Sequence, residues 1–415
     1  MPPCAAAICH ALMSSVALAE ADAPGERPGP VDGMVPVVSA AGVEEAAAVE
    51  LAIAYTADIW RNARGGARKG WRYLDNLDLT LAVDAERALG WNGATIFLHG
   101  LYNNGESLTD DLVGDFQVVS NIDAGVRAAR LYEAWIEQRL ADGRLSFKAG
   151  LYDLNSEFDT TQSGGLFLNS SHGVGSDFSQ SGENGPSIFP VTSLAFRAEY
   201  RLAEQWLARA AVLDGVPGDP ARPRRTTVKF GGGDGALLVA ELNYVDERTK
   251  LGIGAWRYTA GFEDILATQI GGEPVERRGN GGVYMLAERK FSAEAADVAQ
   301  GLSGWIRLGL ADDRFNPVRR YLGGGLVYAG AVPGRDQDQL GLGLGWVRFG
   351  APFRRASALQ GEPLTEGEVN LELTYRMPLA PWLVVQPDVQ YVMDPGGVRG
   401  RGDALVLGLR TEIGF

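Results

Sequence analysis

The sequence predicts an all-β protein, a transmembrane antiparallel β-barrel of about sixteen strands with short turns at one end and long loops at the other. Stretches of about ten residues alternate between apolar and polar positions, and the connections between them alternate between short and long. No uncharged apolar run reaches the roughly 18 to 20 residues that a membrane helix needs. The 55 glycines also suit turns and closely packed sheets better than helices.

The N-terminal segment has the features of a secretory signal peptide, which we expect to span residues 1–19. It contains an apolar core rich in small residues and an Ala17-Leu18-Ala19 triplet that resembles a cleavage site, although no Lys or Arg precedes the core. Its removal would take away Cys4 and Cys9, the only cysteines, and leave a secreted chain without disulfides. Residues 20–48, rich in Pro, Gly, Ala and acids, are expected to form a flexible leader before a barrel domain spanning 49–415.

Sixteen strand-like stretches follow one another from Val49 to the last residue. Their predicted ranges are 49–58, 73–84, 93–102, 129–140, 144–152, 193–202, 205–214, 236–245, 250–260, 282–291, 302–311, 322–330, 339–348, 367–376, 382–392 and 403–415. Because the number is even, both ends of the domain are expected on the same, periplasmic side.

The connections differ systematically in length. Those after even-numbered stretches are mostly tight, whereas those after odd-numbered stretches are mostly long, and the longest spans residues 153–192. Bacterial outer-membrane barrels have this asymmetry, with short periplasmic turns and longer extracellular loops. A soluble β-sandwich or lipocalin-like barrel, with its polar face outward, is the alternative that this asymmetry disfavours.

The strand faces are also unlike each other. In 367–376, apolar residues such as Leu371 oppose polar ones such as Asn370, and in 129–140 we expect Tyr132, Ala134 and Ile136 to face lipid. The last stretch, 403–415, places Leu407 on the apolar face and ends on Phe415 with no polar tail. An open strand edge in lipid leaves backbone groups unpaired, so the last strand is expected to pair with the first.

Several segments resemble the carbohydrate-selective porins of the OprB type. They include "GWRYLDNLDLTLAVDAERALGWNGATIFLHGLYNNG", "LYEAWIEQRLADGRLSFKAGLYDLNSEFD", "AGAVPGRDQDQLGLGLGW" and "ELTYRMPLAPWLVVQPDVQYVMDPGG", and the similarity extends over nearly all of the chain after Gly42. The resemblance implies a sixteen-stranded channel for small sugars. In outer-membrane barrels as a group, a terminal aromatic such as Phe415 serves as the signal for the barrel assembly machinery.

A sugar channel needs a constriction whose polar groups replace water around hydroxyls without holding them tightly. Residues 153–192 contain many acids and no Lys or Arg, so we expect this loop to fold into the lumen and face basic wall residues. Solvated loop acids, binding divalent ions near lipopolysaccharide, are the alternative. The predicted pore-lining residues are Glu133, Glu137, Arg139, Lys148, Asp153, Asn155, Glu157, Arg197, Glu199, Glu372, Arg376, Asp388, Gln390, Arg410 and Glu412.

Other functions are weaker alternatives. A general or cation-preferring porin is the second choice, and an outer-membrane barrel hydrolase the third. No G-x-S-x-G motif is present, and His99 has no evident acidic partner in the sequence. Glu133 and Glu137 would lie about 13 Å apart on a strand, too far for glycoside hydrolysis.

The partners follow from the same features. A net charge of -14 argues against nucleic acid, and no Cys or His cluster suggests a metal. We therefore expect no cofactor, with small sugars, outer-membrane lipid, lipopolysaccharide and the barrel assembly machinery as partners. A homo-oligomer is compatible with the apolar outer face.

Overall fold

The computed structural model describes residues 47–229, 232–268, 272–292 and 300–415. The predicted signal peptide and residues 20–46 of the predicted leader lie outside the described residues. No helix within these ranges is long and apolar enough to cross a membrane.

Sixteen antiparallel strands close into a barrel, and two more form a separate hairpin. The strands are β1 Val49–Arg64, β2 Gly70–Asp84, β3 Ala94–Asn103, β4 Ala128–Leu140, β5 Leu145–Tyr152, β6 Ser193–Ala203, β7 Trp206–Asp214, β8 Ala236–Val245, β9 Thr249–Tyr258, β10 Gly261–Thr268, β11 Pro274–Arg278, β12 Gly281–Lys290, β13 Gly301–Ala311, β14 Val318–Ala329, β15 Gln339–Phe349, β16 Gly367–Ala380, β17 Leu383–Met393 and β18 Ala404–Gly414. All sixteen predicted stretches are barrel strands. The hairpin β10–β11, inserted between β9 and β12, was not predicted.

Short helices occupy several connections. They are α1 Ala85–Leu89, α2 Ser176–Ser179 and α3 Ala351–Leu359, the 3-10 turns Leu154–Ser156, Ser163–Leu166, Ser170–His172 and Pro395–Gly397, and a π-helical turn Thr109–Val113. We call the end of the barrel that carries the connections 104–127 and 153–192 the loop end, and the opposite end the turn end.

The barrel closes between its first and last strands, as predicted. β18 pairs with β1, and the final residue takes part in the seam. The Phe415 N–H donates to the Ile53 carbonyl at 2.9 Å, and the Ile53 N–H donates to the Phe415 carbonyl at 3.1 Å. The Phe415 side chain itself is 68% exposed, on the outside of the turn end.

The two faces of the wall follow the predicted alternation. Leu371 and Leu407 are 37% and 41% exposed, whereas their neighbours Asn370 and Val406 are fully buried inside the barrel. Strand β15 shows why the sequence alternates Leu and Gly: its leucines point outward, and Gly343 lets a loop ring lie directly on the wall. A Cβ at Gly343 would come within 2.8 Å of the Phe167 ring.

One face prediction, at Tyr132, is wrong because of a β-bulge. Leu131 pairs with Gly100 and Glu133 with His99, so one extra residue is inserted in β4 between these pairs. Tyr132 therefore turns inward, where its hydroxyl donates to Asp153 Oδ2 at 2.7 Å. Beyond the bulge the alternation resumes, and Ile136 is exposed on the outside as expected.

The largest apolar core lies inside the barrel, between the wall and the loop 153–192. Phe178 from α2 stacks on Trp256 of β9, with ring centroids 4.9 Å apart. Phe158 and Tyr284 belong to the same buried cluster. The burial of this apolar surface fixes the long loop inside the lumen.

Candidate functional site

Carboxylates on the inner wall bind the backbone of two loops that pack against it, 104–127 and 153–192. Glu372 accepts hydrogen bonds from the Leu168 and Asn169 amides at 2.5 and 3.0 Å. Such loops have few internal backbone partners, so their buried amides need acceptors from elsewhere. We call the five glutamates that accept loop amide hydrogen bonds in this way the wall carboxylates: Glu133, Glu241, Glu288, Glu368 and Glu372.

An arginine on β13 ties the loop 153–192 to the wall by charge. Arg307 Nε and Nη2 donate to the two carboxylate oxygens of Asp159 at 3.0 and 2.7 Å. Its Nη1 also donates to Asp177. All three side chains are almost fully buried, so both carboxylates depend on Arg307 for charge compensation.

A cluster of acids and bases lies where the loop 153–192 leaves β5. Lys148 Nζ and Arg197 Nη2 contact Glu157 Oε1 at 2.8 and 2.7 Å, and Arg197 also contacts Glu137 at 2.9 Å. Burial alone would raise the pKa of Glu157, but the cations Lys148, Arg197 and Arg209 outweigh it and hold that pKa well below its usual range.

Three more residues extend this group toward the turn end. Glu199 Oε2 accepts from Arg209 Nε at 2.5 Å, and Arg139 lies 3.6 Å from Glu137. The side chains of Arg139, Glu199 and Arg209 are partly exposed inside the barrel. We call the whole set the charged cluster: Glu137, Arg139, Lys148, Glu157, Arg197, Glu199 and Arg209.

Six of the fifteen predicted residues therefore meet in the charged cluster. A loop acid does face basic wall residues, but only Lys148 and Arg197 among those anticipated contact it. Arg376, itself buried, instead contacts Glu412 of β18 at 3.1 Å, and of the two only the Glu412 side chain is partly exposed near the turn end.

The remaining predicted residues are buried where the loops pack against the wall. Gln390 donates to the Val119 carbonyl at 2.8 Å, and Arg410 contacts Asp58 at 2.7 Å and Asn121 at 2.7 Å. The others in this position are Glu133, Asp153, Asn155, Glu372 and Asp388, none more than 7% exposed. These side chains make contacts that position the loops.

Five residues of this network were not predicted from the sequence: Arg209, Glu241, Glu288, Arg307 and Glu368. Four of them lie at inward-facing positions of strands whose other inward residues are largely apolar or small: Arg209, Glu241, Glu288 and Arg307. A charged residue on the otherwise largely apolar inward face of such a strand is the sequence feature that could have identified them.

The two described histidines are enclosed by protein. His99 Nε2 lies 2.9 Å from Asp78 Oδ1, so the expectation that it lacks an acidic partner is wrong. His172 packs against Phe167 and Trp305, and burial lowers its pKa to about 3. Within the described ranges no group of three or more His, Cys, Asp or Glu could hold a metal ion.

Comparison with known proteins agrees with this architecture. The family model described as "Carbohydrate-selective porin, OprB family" matches residues 68–415. "Porin B" of Pseudomonas aeruginosa is 26% identical over 401 residues, covering 87% of this chain and 86% of that protein. "Putative porin QuiX" of Acinetobacter baylyi is 22% identical, covering 87% and 89% of the two chains. The structure titled "High pH structure of Pseudomonas putida OprB" superposes with a TM-score of 0.79 at 24% identity, covering 89% of this chain and 94% of that one.

Proposed function

Because the chain belongs to the OprB family of carbohydrate-selective porins, and is thus a sugar channel of the Gram-negative outer membrane, we propose that small neutral sugars diffuse passively past the charged cluster. The turn end is then periplasmic and the loop end extracellular. The family and fold point to a channel rather than an enzyme. In our proposal the passage of sugar involves no catalysis, cofactor or energy coupling.

The observation that carries this proposal is the partial exposure of paired charges inside the barrel. Glu199 and Arg209 are hydrogen-bonded to each other, yet both remain accessible. A sugar hydroxyl both donates and accepts, so it can bond to either member of such a pair. Because each charge is already compensated by its partner, the sugar is held weakly and released again.

We propose that the loop 153–192 forms the constriction. Its burial between the wall carboxylates and the apolar cluster supports this role, because a fixed loop narrows the lumen to a constant shape. Glu157 supplies the loop's charge at that point, beside the wall residues Lys148 and Arg197.

The experiment compares sugar permeation in proteoliposomes with single-channel current in the presence of sugar. The test variant Glu199→Gln/Arg209→Gln removes an accessible pair without changing net charge. The control Asp264→Asn/Arg277→Gln removes a pair of 3.1 Å separation from the hairpin β10–β11. We expect the test variant alone to lose current block by glucose.

The alternatives give different results in the same assays. Swelling rates ordered only by solute size, with no current block by any sugar, would favour a general porin. A preference for cations without sugar block would favour the cation-selective alternative. Release of hydrolysed sugar by the purified protein would favour the hydrolase.

Two partners belong to this proposal. The exposed side chain of Phe415 is available to the barrel assembly machinery while its backbone completes the seam. The apolar outer face contacts outer-membrane lipid and offers a surface on which copies of the chain can associate.

A further inference from the structure

The hairpin that joins β1 to β2 is strongly basic in an otherwise acidic chain. Residues 59–74 contain five basic residues and no acid, although the net charge of the protein is -14. The five are Arg61, Arg64, Arg68, Lys69 and Arg72. The hairpin lies at the extracellular end of the barrel.

Within the part of the chain that the structure describes, four of these five cations have no carboxylate partner. Arg72 contacts Asp111 at 2.6 Å and Glu106 at 3.6 Å. Among the described residues, no carboxylate oxygen lies within 4.0 Å of the side-chain nitrogens of the other four cations, Arg61, Arg64, Arg68 and Lys69. A set of uncompensated cations on an acidic protein attracts an anion from outside the chain.

The geometry directs two of these side chains toward the lipid. Arg61 is paired with Leu407, which points outward, and a register irregularity between Asn62 and Arg64 places Arg64 opposite Leu405, also on the outer face. Without that irregularity Arg64 would alternate into the lumen.

Two aromatic residues on the outer face, Trp71 and Tyr73, indicate how deep in the membrane the cations lie. The Arg61 guanidinium carbon lies 5.1 Å from the centroid of the Trp71 ring, and Trp71 is 60% exposed on the outer face next to Tyr73. Exposed Trp and Tyr rings mark the level of the lipid head groups. The four cations therefore lie at and just above the head groups of the extracellular leaflet.

We propose that this hairpin binds the phosphate groups of lipopolysaccharide in the outer leaflet. Guanidinium groups bind phosphate oxygens through paired hydrogen bonds, and basic residues at head-group level favour anionic lipids. The inference rests on the outer-membrane placement of the channel. It is independent of which solute passes through the lumen.

The experiment measures binding of lipopolysaccharide to the full-length protein folded in neutral detergent. The test variant is Arg61→Gln/Arg64→Gln/Arg68→Gln/Lys69→Gln. We expect its affinity to fall by more than tenfold, since each cation at a lipid surface contributes about fivefold. Dephosphorylated lipopolysaccharide should bind the unaltered protein as weakly as the variant binds the phosphorylated form.

The control removes the same charge from the periplasmic end, as Arg144→Gln/Arg201→Gln/Arg248→Gln/Arg289→Gln. Arg144 is a close match for Arg61 because it lies over the ring of an outer-face Tyr200. Equal losses in the two quadruple variants, or equal binding with and without phosphates, would overturn the proposal. If the test variant does not fold, Arg61→Gln and Arg64→Gln singly allow the same comparison, with about fivefold weaker binding each.

Sugar permeation separates this proposal from the proposed function. The test variant should retain unaltered swelling rates and current block. Loss of lipopolysaccharide binding with normal sugar transport supports the hairpin site, whereas failure of sugar block in the unaltered protein counts only against the proposed function.

Discussion

Replacing Arg307 by Met should release the loop 153–192 from the wall. Arg307 makes two hydrogen bonds to Asp159, at 3.0 and 2.7 Å, and a third to Asp177. Removing the arginine leaves two buried carboxylates without a counter-charge, which costs about 3 to 5 kcal/mol for a buried pair. Because tenfold in an equilibrium corresponds to about 1.4 kcal/mol, open loop conformations should become roughly 100- to 4000-fold more populated.

The assay is hydrogen exchange of the loop amides, together with single-channel recording of the same protein. Exchange in 153–192 should accelerate, and the conductance should become larger or noisier as the constriction loosens. The control Arg314→Met removes an arginine with the same two-point contact to Asp312, but Arg314 is 50% exposed. An exposed pair contributes only about 0 to 1 kcal/mol, so this variant should exchange normally.

A third variant distinguishes the loss of the attraction between Arg307 and the loop from the cost of leaving two carboxylates buried without a counter-charge. Arg307→Met/Asp159→Asn/Asp177→Asn removes both unpaired carboxylates, so it should recover much of the protection that Arg307→Met loses. Equal exchange rates of the loop amides in Arg307→Met and Arg314→Met would refute the role of Arg307 in holding the loop. Conductance unchanged despite fast exchange would show that the loop does not narrow the channel.

Three further predictions concern the wall, the seam and the charged cluster. Ile253→Arg, on the lipid face at the middle of β9, should lower the free energy of unfolding by about 2 to 4 kcal/mol in denaturant titration, whereas Thr56→Arg on the inner face should change it little. Phe415→Asp should reduce the amount of heat-modifiable barrel in the outer membrane, and normal insertion would contradict its role in assembly. Because the pKa of Glu157 is held low, its stabilisation by neighbouring cations is complete above about pH 4.3 and is lost as the pH falls through the folded value. Glucose block should therefore be constant from about pH 8 to below about pH 4.5 and decline only as the pH approaches the lowered pKa of Glu157 in the folded protein, and Glu157→Gln should abolish that decline.

The barrel could be predicted from the sequence because lipid imposes a rigid alternation on every strand that crosses it. The hairpin β10–β11 was not predicted because it is separate from the barrel wall, where its strands need no continuous apolar face. The bulge at Tyr132 was not predicted for a different reason. Periodicity assigns faces by counting residues, and one inserted residue reverses the count without changing the composition.

The interior was less predictable than the wall. The sequence indicates which charged residues face inward. It does not indicate which of them are exposed to water in the lumen and which contact a loop. Glu372 and Leu168 are 204 positions apart in the sequence, and their contact joins a carboxylate to a backbone amide. A backbone amide has no residue-specific signature, so nothing in residues 153–192 indicated where the wall would bind them.

The same contacts leave the loop side chains free to change. A wall glutamate such as Glu372 binds the amides of Leu168 and Asn169, and every amino acid except proline provides that amide. Substitutions on the loop surface that faces the solute therefore preserve the anchoring bonds. A barrel built in this way can acquire preference for a new solute by point mutation while the position of its loops is inherited unchanged.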